Sequence, residues 1–113
     1  VWQGFGLYIY TNSIMFLCND SFITASTTIT PGTWYHVAVV NDLVSDTLRF
    51  YVNGDLLHTS PNAGTVSMTG NGLLKISSET SNPSRYFHGA IDEVRIYDRA
   101  LTDAQIHTLI SVP

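Results

Sequence analysis

Charged residues are scarce in this chain of 113 residues. They make up 12% of the sequence, and the formal net charge is −4, whereas soluble domains usually contain about 25% charged residues. The five basic residues form no cluster, which argues against nucleic-acid binding, since that function depends on clustered Lys and Arg. No apolar run approaches the length of a membrane span. With 44% hydrophobic residues, residues 1–113 are predicted to form one domain with its own core.

Cysteine is also nearly absent. Cys18 is the single one, so no disulfide can form within the chain, and the redox compartment stays open. Because Cys18 ends an apolar run, residues 14–18, we predict that it is a small buried residue.

Helical periodicity is absent before Thr102, which excludes a helical bundle or a βαβ fold. Short apolar and β-branched stretches separated by turn signals are typical of an all-β sandwich. Strands are predicted at residues 4–10, 14–18, 22–25, 34–40, 48–52, 55–58, 73–77 and 87–97.

Three local patterns are more specific. Asn53-Gly54 supplies the two positive φ angles of a type I′ hairpin turn. Residues 34–40 are apolar on both alternating faces, so this strand should be covered on both sides, with Trp34 in the core. Thr102 and Gln105 have capping-box spacing at the start of a helix over residues 103–109.

Three pieces of sequence in this order carry a family resemblance. They are Trp34-x-His36-Val37-Ala38-Val39, Leu48-x-Phe50-Tyr51-Val52-Asn53-Gly54 and Phe87-x-Gly89-x-Ile91-Asp92-Glu93-Val94-Arg95-Ile96-Tyr97-x-x-Ala100-Leu101-Thr102. Together they resemble the laminin G-like and pentraxin-like group of the concanavalin A-like lectin and glucanase jelly rolls. The resemblance implies an all-β, antiparallel jelly-roll β-sandwich with one short C-terminal helix.

The resemblance also implies an open edge. Members of this group have further strands before the segment that matches residues 4–10, so the N-terminal strands of the pattern are expected to be lacking here. The domain is then either shortened or part of a longer protein. An unpaired sheet edge and an exposed apolar face would follow, and we predict that another chain or a second copy covers them.

Carboxylates are too few for the hydrolases of this fold. Glycoside hydrolysis needs two carboxylates on one face, about 5–9.5 Å apart, and the chain contains only two glutamates, Glu79 and Glu93. Asp92 and Glu93 are adjacent, so a regular strand would send them to opposite faces. Asp92 is therefore predicted to face solvent or tie a loop, and Glu93 to pair with Arg95 or Arg49. No catalytic residue is predicted.

Several members of the resembled group bind Ca²⁺ through a loop that corresponds to residues 77–82. The resemblance makes Glu79 and Asn82 the candidate metal ligands. Ca²⁺ takes six to eight oxygen ligands, with carboxylates prominent among them, and Glu79 is the only carboxylate in the loop. An ordinary polar turn is therefore the favoured interpretation, with Ca²⁺ as the alternative.

A sugar site needs a flat aromatic ring beside planar polar groups. Asn82, Arg85 and Tyr86 provide such a set on one loop, and Trp2 and Tyr10 are further candidates. Tyr86 has an alternative place in the core, because it leads directly into the predicted strand over residues 87–97.

The sequence and the resemblance together predict a non-catalytic adhesion or recognition module on an extracellular, cell or virion surface. Its expected partner is a glycan or a glycosylated protein. One alternative is a structural module whose open sheet edge drives oligomerisation. A glycoside hydrolase of the same fold is the last alternative.

Overall fold

The computed structural model describes residues 4–66, 74–78 and 86–111. The regular elements within these stretches are β1 (Phe5–Tyr10), β2 (Ser13–Cys18), β3 (Ser21–Ser26), β4 (Val37–Asp42), β5 (Thr47–Val52), β6 (Asp55–Ser60) and α1 (Asp103–Ser111). The strands form two antiparallel sheets, in the orders β1-β2-β3 and β4-β5-β6. This is an all-β arrangement with one short C-terminal helix, consistent with a truncated jelly-roll sandwich, and it confirms the predicted fold class.

The first sheet, β1-β2-β3, buries one of its faces. Ile9 lies opposite Ile14, and Ile14 lies opposite Ala25. Because side chains alternate along a strand, Phe16 and Cys18 share this inward face, and both are buried. The unpaired cysteine is therefore the small core residue that its sequence context predicts, and burial raises the pKa of its thiol.

The second sheet, β4-β5-β6, has a core on each side. Leu48 and Phe50 of β5 are fully buried against the first sheet. Tyr51, on the opposite face of β5, is fully buried with Val40 of β4 beneath the helix. Val39 of β4 packs on the core between the sheets, so the prediction that this strand is covered on both sides is confirmed.

The turn between β5 and β6 has the predicted geometry. Asn53 and Gly54 have φ angles of 51° and 82°, both positive as a type I′ turn requires. Asn53 Oδ1 accepts a hydrogen bond of 2.9 Å from the His36 N–H, which ties the turn to the residue before β4. A Cβ atom on Gly54 would overlap Ile110 of α1, so glycine also permits the close approach of the helix.

Helix α1 begins with the predicted capping box. The Thr102 N–H donates to Gln105 Oε1 at 2.9 Å, and the Gln105 N–H donates to Thr102 Oγ1 at 3.2 Å. Ile106 is 2% exposed and packs with Leu109 on the outer face of the second sheet. Across the three described stretches, no helix has the length and apolar character to cross a membrane.

Arg49 and Tyr51 fasten the start of α1 to β5. Arg49 Nη2 donates to the Leu101 carbonyl at 2.8 Å, and Arg49 Nη1 lies 3.5 Å from Asp42 Oδ2. The Tyr51 hydroxyl donates to Asp103 Oδ1 in the first turn of the helix. Burial, followed by this hydrogen bond, raises the pKa of Tyr51 to about 12. The helix is thus held by polar bonds at its start and by apolar packing along its length.

The long strand predicted over residues 87–97 is not formed. A strand needs a neighbour to satisfy its backbone groups, and none of the described strands pairs with this segment. At the start of this segment, the Phe87 N–H donates a hydrogen bond of 2.8 Å to the Ser77 carbonyl. Glu93 adopts a φ of 53°, which interrupts the extended conformation in the middle of the predicted strand.

Two smaller predictions are also wrong. Residues 74–77, the described part of the strand predicted over residues 73–77, are exposed and form no strand. Next to them, Ser78 makes an isolated bridge with Tyr86. Trp34, predicted in the core, is 67% exposed. The physical reason is that β4 begins only at Val37. Trp34 is therefore not paired with β5, and strand pairing does not direct its side chain inward.

Candidate functional site

Most of the predicted site residues lie outside the described residues. These are Glu79, Asn82 and Arg85, together with Trp2. The sugar site and the calcium site predicted on the loop that contains Glu79, Asn82 and Arg85 therefore stay predictions. Tyr86 is described and is 62% exposed, so the alternative that placed it in the core is wrong. In the described stretches, no three His, Cys, Asp or Glu residues come close enough together to hold a metal ion.

Asp92 and Glu93 have structural partners. Asp92 Oδ1 accepts a hydrogen bond of 2.8 Å from the Glu93 N–H, and Arg95 Nη2 donates to Glu93 Oε2 at 2.9 Å. Asp92 therefore ties its own loop and Glu93 pairs with Arg95, as predicted. The argument that a regular strand separates the two carboxylates does not apply, because this segment is not a strand.

The outward face of the first sheet is the candidate site, and we call it the aromatic face. Alternation along the paired strands places nine residues on it. They are Gly6, Tyr8, Tyr10, Ser13, Met15, Leu17, Phe22, Thr24 and Ser26. None of the nine has a charged side chain, and three are aromatic.

The register arranges this face as three rows across the sheet. Gly6, Leu17 and Phe22 form the first row, with Phe22 65% exposed. The second row contains Tyr8, Met15 and Thr24, and the third contains Tyr10, Ser13 and Ser26. Tyr10 is 47% exposed. Adjacent strands lie about 4.8 Å apart, and alternate residues along a strand about 6.8 Å apart, so the rows form a shallow grid.

Gly6 shapes this grid by having no side chain. A Cβ atom at this position would lie 2.7 Å from Tyr8 Cε1 and 3.1 Å from Tyr8 Oη, so the Tyr8 ring lies back over Gly6. Leu17, the cross-strand partner of Gly6, is 5% exposed although it faces outward. The Tyr8 ring therefore covers Gly6, and the exposed rings of Phe22 and Tyr10 lie at opposite corners of the grid.

The chemistry of the aromatic face suits a flat, uncharged ligand. Aromatic rings offer apolar surface, and the hydroxyl groups of Ser13, Thr24 and Ser26 can donate and accept hydrogen bonds. Sequence reasoning identified only Tyr10 of this set. The rest of the set depends on the register of all three strands, because both faces of these strands lack charged side chains.

A family model described as "Concanavalin A-like lectin/glucanases superfamily" (Laminin_G_3) matches residues 3–107. The chain belongs to this superfamily. The two sheets and the C-terminal helix agree with that membership, and the resemblance inferred from the three sequence pieces is confirmed.

Curated relatives of this superfamily member include a much longer protein. The rat (Rattus norvegicus) protein named "Sushi, von Willebrand factor type A, EGF and pentraxin domain-containing protein 1" is 24% identical over 109 residues, and its mouse (Mus musculus) counterpart is 25% identical over 110 residues. Each match covers 90% of this chain but only 3% of the relative. The chain therefore corresponds to one small portion of those proteins.

A solved structure with a similar fold is an S-layer domain-containing protein from Clostridium thermocellum. Its TM-score is 0.55 and its sequence identity 26%, and the match covers 95% of this chain and 63% of that one. The concanavalin A-like chain thus spans less than two thirds of the length of this structure.

Proposed function

We propose that the chain is a non-catalytic carbohydrate-binding module whose ligand is a neutral glycan, either free or attached to a protein. The observation that carries this proposal is the uncharged aromatic face of the first sheet. Superfamily membership supports carbohydrate as the ligand class, since both lectins and glucanases act on carbohydrates.

The exposed rings and hydroxyl groups support a sugar as the ligand. Tyr10 and Phe22 present aromatic rings to solvent at two separate points of the face, and a chain of several sugar residues is long enough to pack on both. The C–H faces of a pyranose ring pack on such rings, while its hydroxyl groups meet those of Ser13 and Thr24. Because the face has no charged side chain, nothing on it complements an acidic sugar.

The proposal excludes hydrolysis by this site. Glycoside hydrolysis uses a pair of carboxylates, and the aromatic face contains none. Elsewhere, Glu93 is engaged by Arg95, and Asp92 caps a backbone N–H.

The relatives support an extracellular or cell-surface location. The rat and mouse proteins are named for sushi, von Willebrand factor type A, EGF and pentraxin domains, and the Clostridium protein is named for an S-layer domain. We propose that the module acts in such a setting, in adhesion to glycans or glycosylated proteins.

Replacing the exposed rings should weaken binding to neutral polysaccharides. In affinity electrophoresis through gels containing neutral β-glucans or mannans, Tyr10→Ala and Phe22→Ala are each expected to lower affinity about tenfold, equivalent to about 1.4 kcal/mol. Lost stacking surface is the cause. Leu43→Ala serves as the control, because Leu43 is similarly exposed but lies between β4 and β5.

Tyr86→Ala separates the two candidate sugar sites. If Tyr86→Ala abolishes retardation while Tyr10→Ala and Phe22→Ala leave it unchanged, the aromatic face is the wrong site and the predicted loop is the right one. Retardation that none of the three variants alters would contradict both.

A second candidate function is assembly through residues 87–97, and a specific observation favours it. Ile91, Val94 and Ile96 are 42%, 51% and 58% exposed, and no described strand pairs with their backbone. Exposed apolar side chains beside unpaired backbone groups form a template for another chain.

Assembly should appear as a concentration-dependent mass in light scattering. We expect the wild-type chain to form dimers or larger species as concentration rises, and the double variant Val94→Lys, Ile96→Lys to remain a monomer because lysine blocks edge pairing. Leu43→Lys controls for added charge. A wild-type chain that stays monomeric at all concentrations would exclude self-assembly.

A further inference from the structure

A groove of about 340 Å³ lies between residues 97–101 and helix α1. Leu101, Ala104 and Leu109 supply its apolar lining, and Tyr97 and Arg99 contribute from the segment before the helix. The groove lies against the helix that covers the second sheet, so it is separate from the aromatic face. The groove is shallow and open to solvent.

Arg99 gives the groove a charge that the aromatic face lacks. Arg49 is bound by Asp42 and Leu101, and Arg95 by Glu93. Among the described residues, Arg99 has no hydrogen bond or ion pair, and it is exposed. A guanidinium without a partner at the edge of a groove presents a fork of N–H donors that matches a carboxylate.

The other polar groups of the groove add neutral contacts. Gln105 accepts from the Thr102 N–H through Oε1, which leaves its amide N–H groups to donate. Thr108 Oγ1 donates to the Ala104 carbonyl at 2.9 Å and retains lone pairs to accept. Tyr97, 42% exposed, adds an aromatic wall.

We propose that this groove binds one carboxylated pyranose residue, a uronic acid, with the carboxylate on Arg99 and the ring against Tyr97. The inference rests on the proposed function in taking the ligand to be a sugar, but it assigns a second site with a different charge preference. A carboxylated sugar satisfies the guanidinium, the amide donors and the aromatic wall together. An acidic side chain of a peptide would also reach the guanidinium, but it carries no ring to pack against Tyr97.

The test is a ¹⁵N-HSQC titration of the whole chain with methyl β-glucuronide, methyl β-glucoside and N-acetylglutamate in parallel. The glucuronide should shift amide signals of residues 97–109 and bind about tenfold more tightly than the glucoside, as a charge-assisted bidentate contact implies. Arg99→Gln should reduce glucuronide affinity to that of the glucoside. Arg95→Gln is the matched control and should leave it unchanged, because Arg95 does not line the groove.

Three results would overturn this assignment. The first is equal affinity for the glucuronide and the glucoside. The second is a loss of glucuronide affinity in Arg95→Gln as large as that in Arg99→Gln. The third is amide shifts from N-acetylglutamate as large as those from the glucuronide. The variants Tyr10→Ala and Phe22→Ala separate the two proposals. If they abolish glucuronide binding, the groove is the wrong site while carbohydrate binding by the aromatic face stands. If they leave glucuronide binding intact but neutral polysaccharides are not bound, the proposed function fails and the groove remains.

Discussion

Phe50→Ala is expected to lower the free energy of unfolding by about 3–5 kcal/mol, the usual cost of removing a buried phenylalanine. Phe50 is fully buried on the central strand of the second sheet and packs against residues of the first. Its loss leaves a cavity between the sheets and removes the apolar contacts that join them. Domains of this size are stable by only about 5–15 kcal/mol, so the variant should be close to unfolding.

Urea denaturation followed by circular dichroism measures this change. Phe22→Ala is the matched control, since it removes the same side chain from an adjacent sheet where the ring is 65% exposed. An exposed substitution should change stability by no more than about 0.5 kcal/mol. Equal destabilisation by the two variants would contradict the assignment of the core to the space between the sheets.

The chain should lose stability between about pH 10 and pH 12, and Tyr51 is the expected cause. Burial and the hydrogen bond to Asp103 raise the pKa of Tyr51 to about 12, from an ordinary value of 10. The folded state therefore holds this proton more tightly than the unfolded state. The stabilisation is fully present below pH 10 and is lost as pH rises toward 12. Two pKa units correspond to about 2–3 kcal/mol.

Urea midpoints measured at intervals from pH 8 to pH 12 test this expectation, with Tyr51→Phe as the comparison. The variant should be less stable than wild type at pH 8, by about 1–3 kcal/mol, because the Asp103 carboxylate loses a hydrogen bond. Tyr51→Phe should also lack the loss of stability between about pH 10 and pH 12 that we assign to Tyr51. If Tyr51→Phe loses as much stability as wild type over this range, another group is responsible.

Local signals made the hairpins and the helix start predictable from the sequence. Asn53-Gly54 specifies its turn because few residues tolerate two consecutive positive φ angles. Thr102 and Gln105 specify the helix start because each satisfies the other's backbone N–H. Neither inference depends on residues far away in the sequence.

Non-local requirements explain the errors. Residues 87–97 have the composition of a strand, but a strand forms only where a neighbour accepts its hydrogen bonds, and a sequence pattern does not supply that neighbour. Trp34 stands next to apolar residues in the sequence, but β4 begins three residues later, at Val37. Trp34 is therefore outside the strand, and its side chain is exposed to solvent.

The aromatic face was only partly predictable for a related reason. The sequence offers Tyr10 as a further aromatic candidate for a sugar site. Joining Tyr8, Tyr10 and Phe22 into one surface requires the register of three strands, and a shift of one residue would send every side chain to the other face.

Binding of neutral glycans by the aromatic face can be tested directly. The most direct test is a ¹⁵N-HSQC titration of the chain with a neutral β-glucan hexasaccharide, which maps contacts at residue resolution. We expect saturable shifts that cluster on β1, β2 and β3, with the largest near Tyr10, Phe22 and Thr24. Saturable shifts confined to helix α1 or to residues 86–97, or no shifts with any neutral glycan, would contradict it.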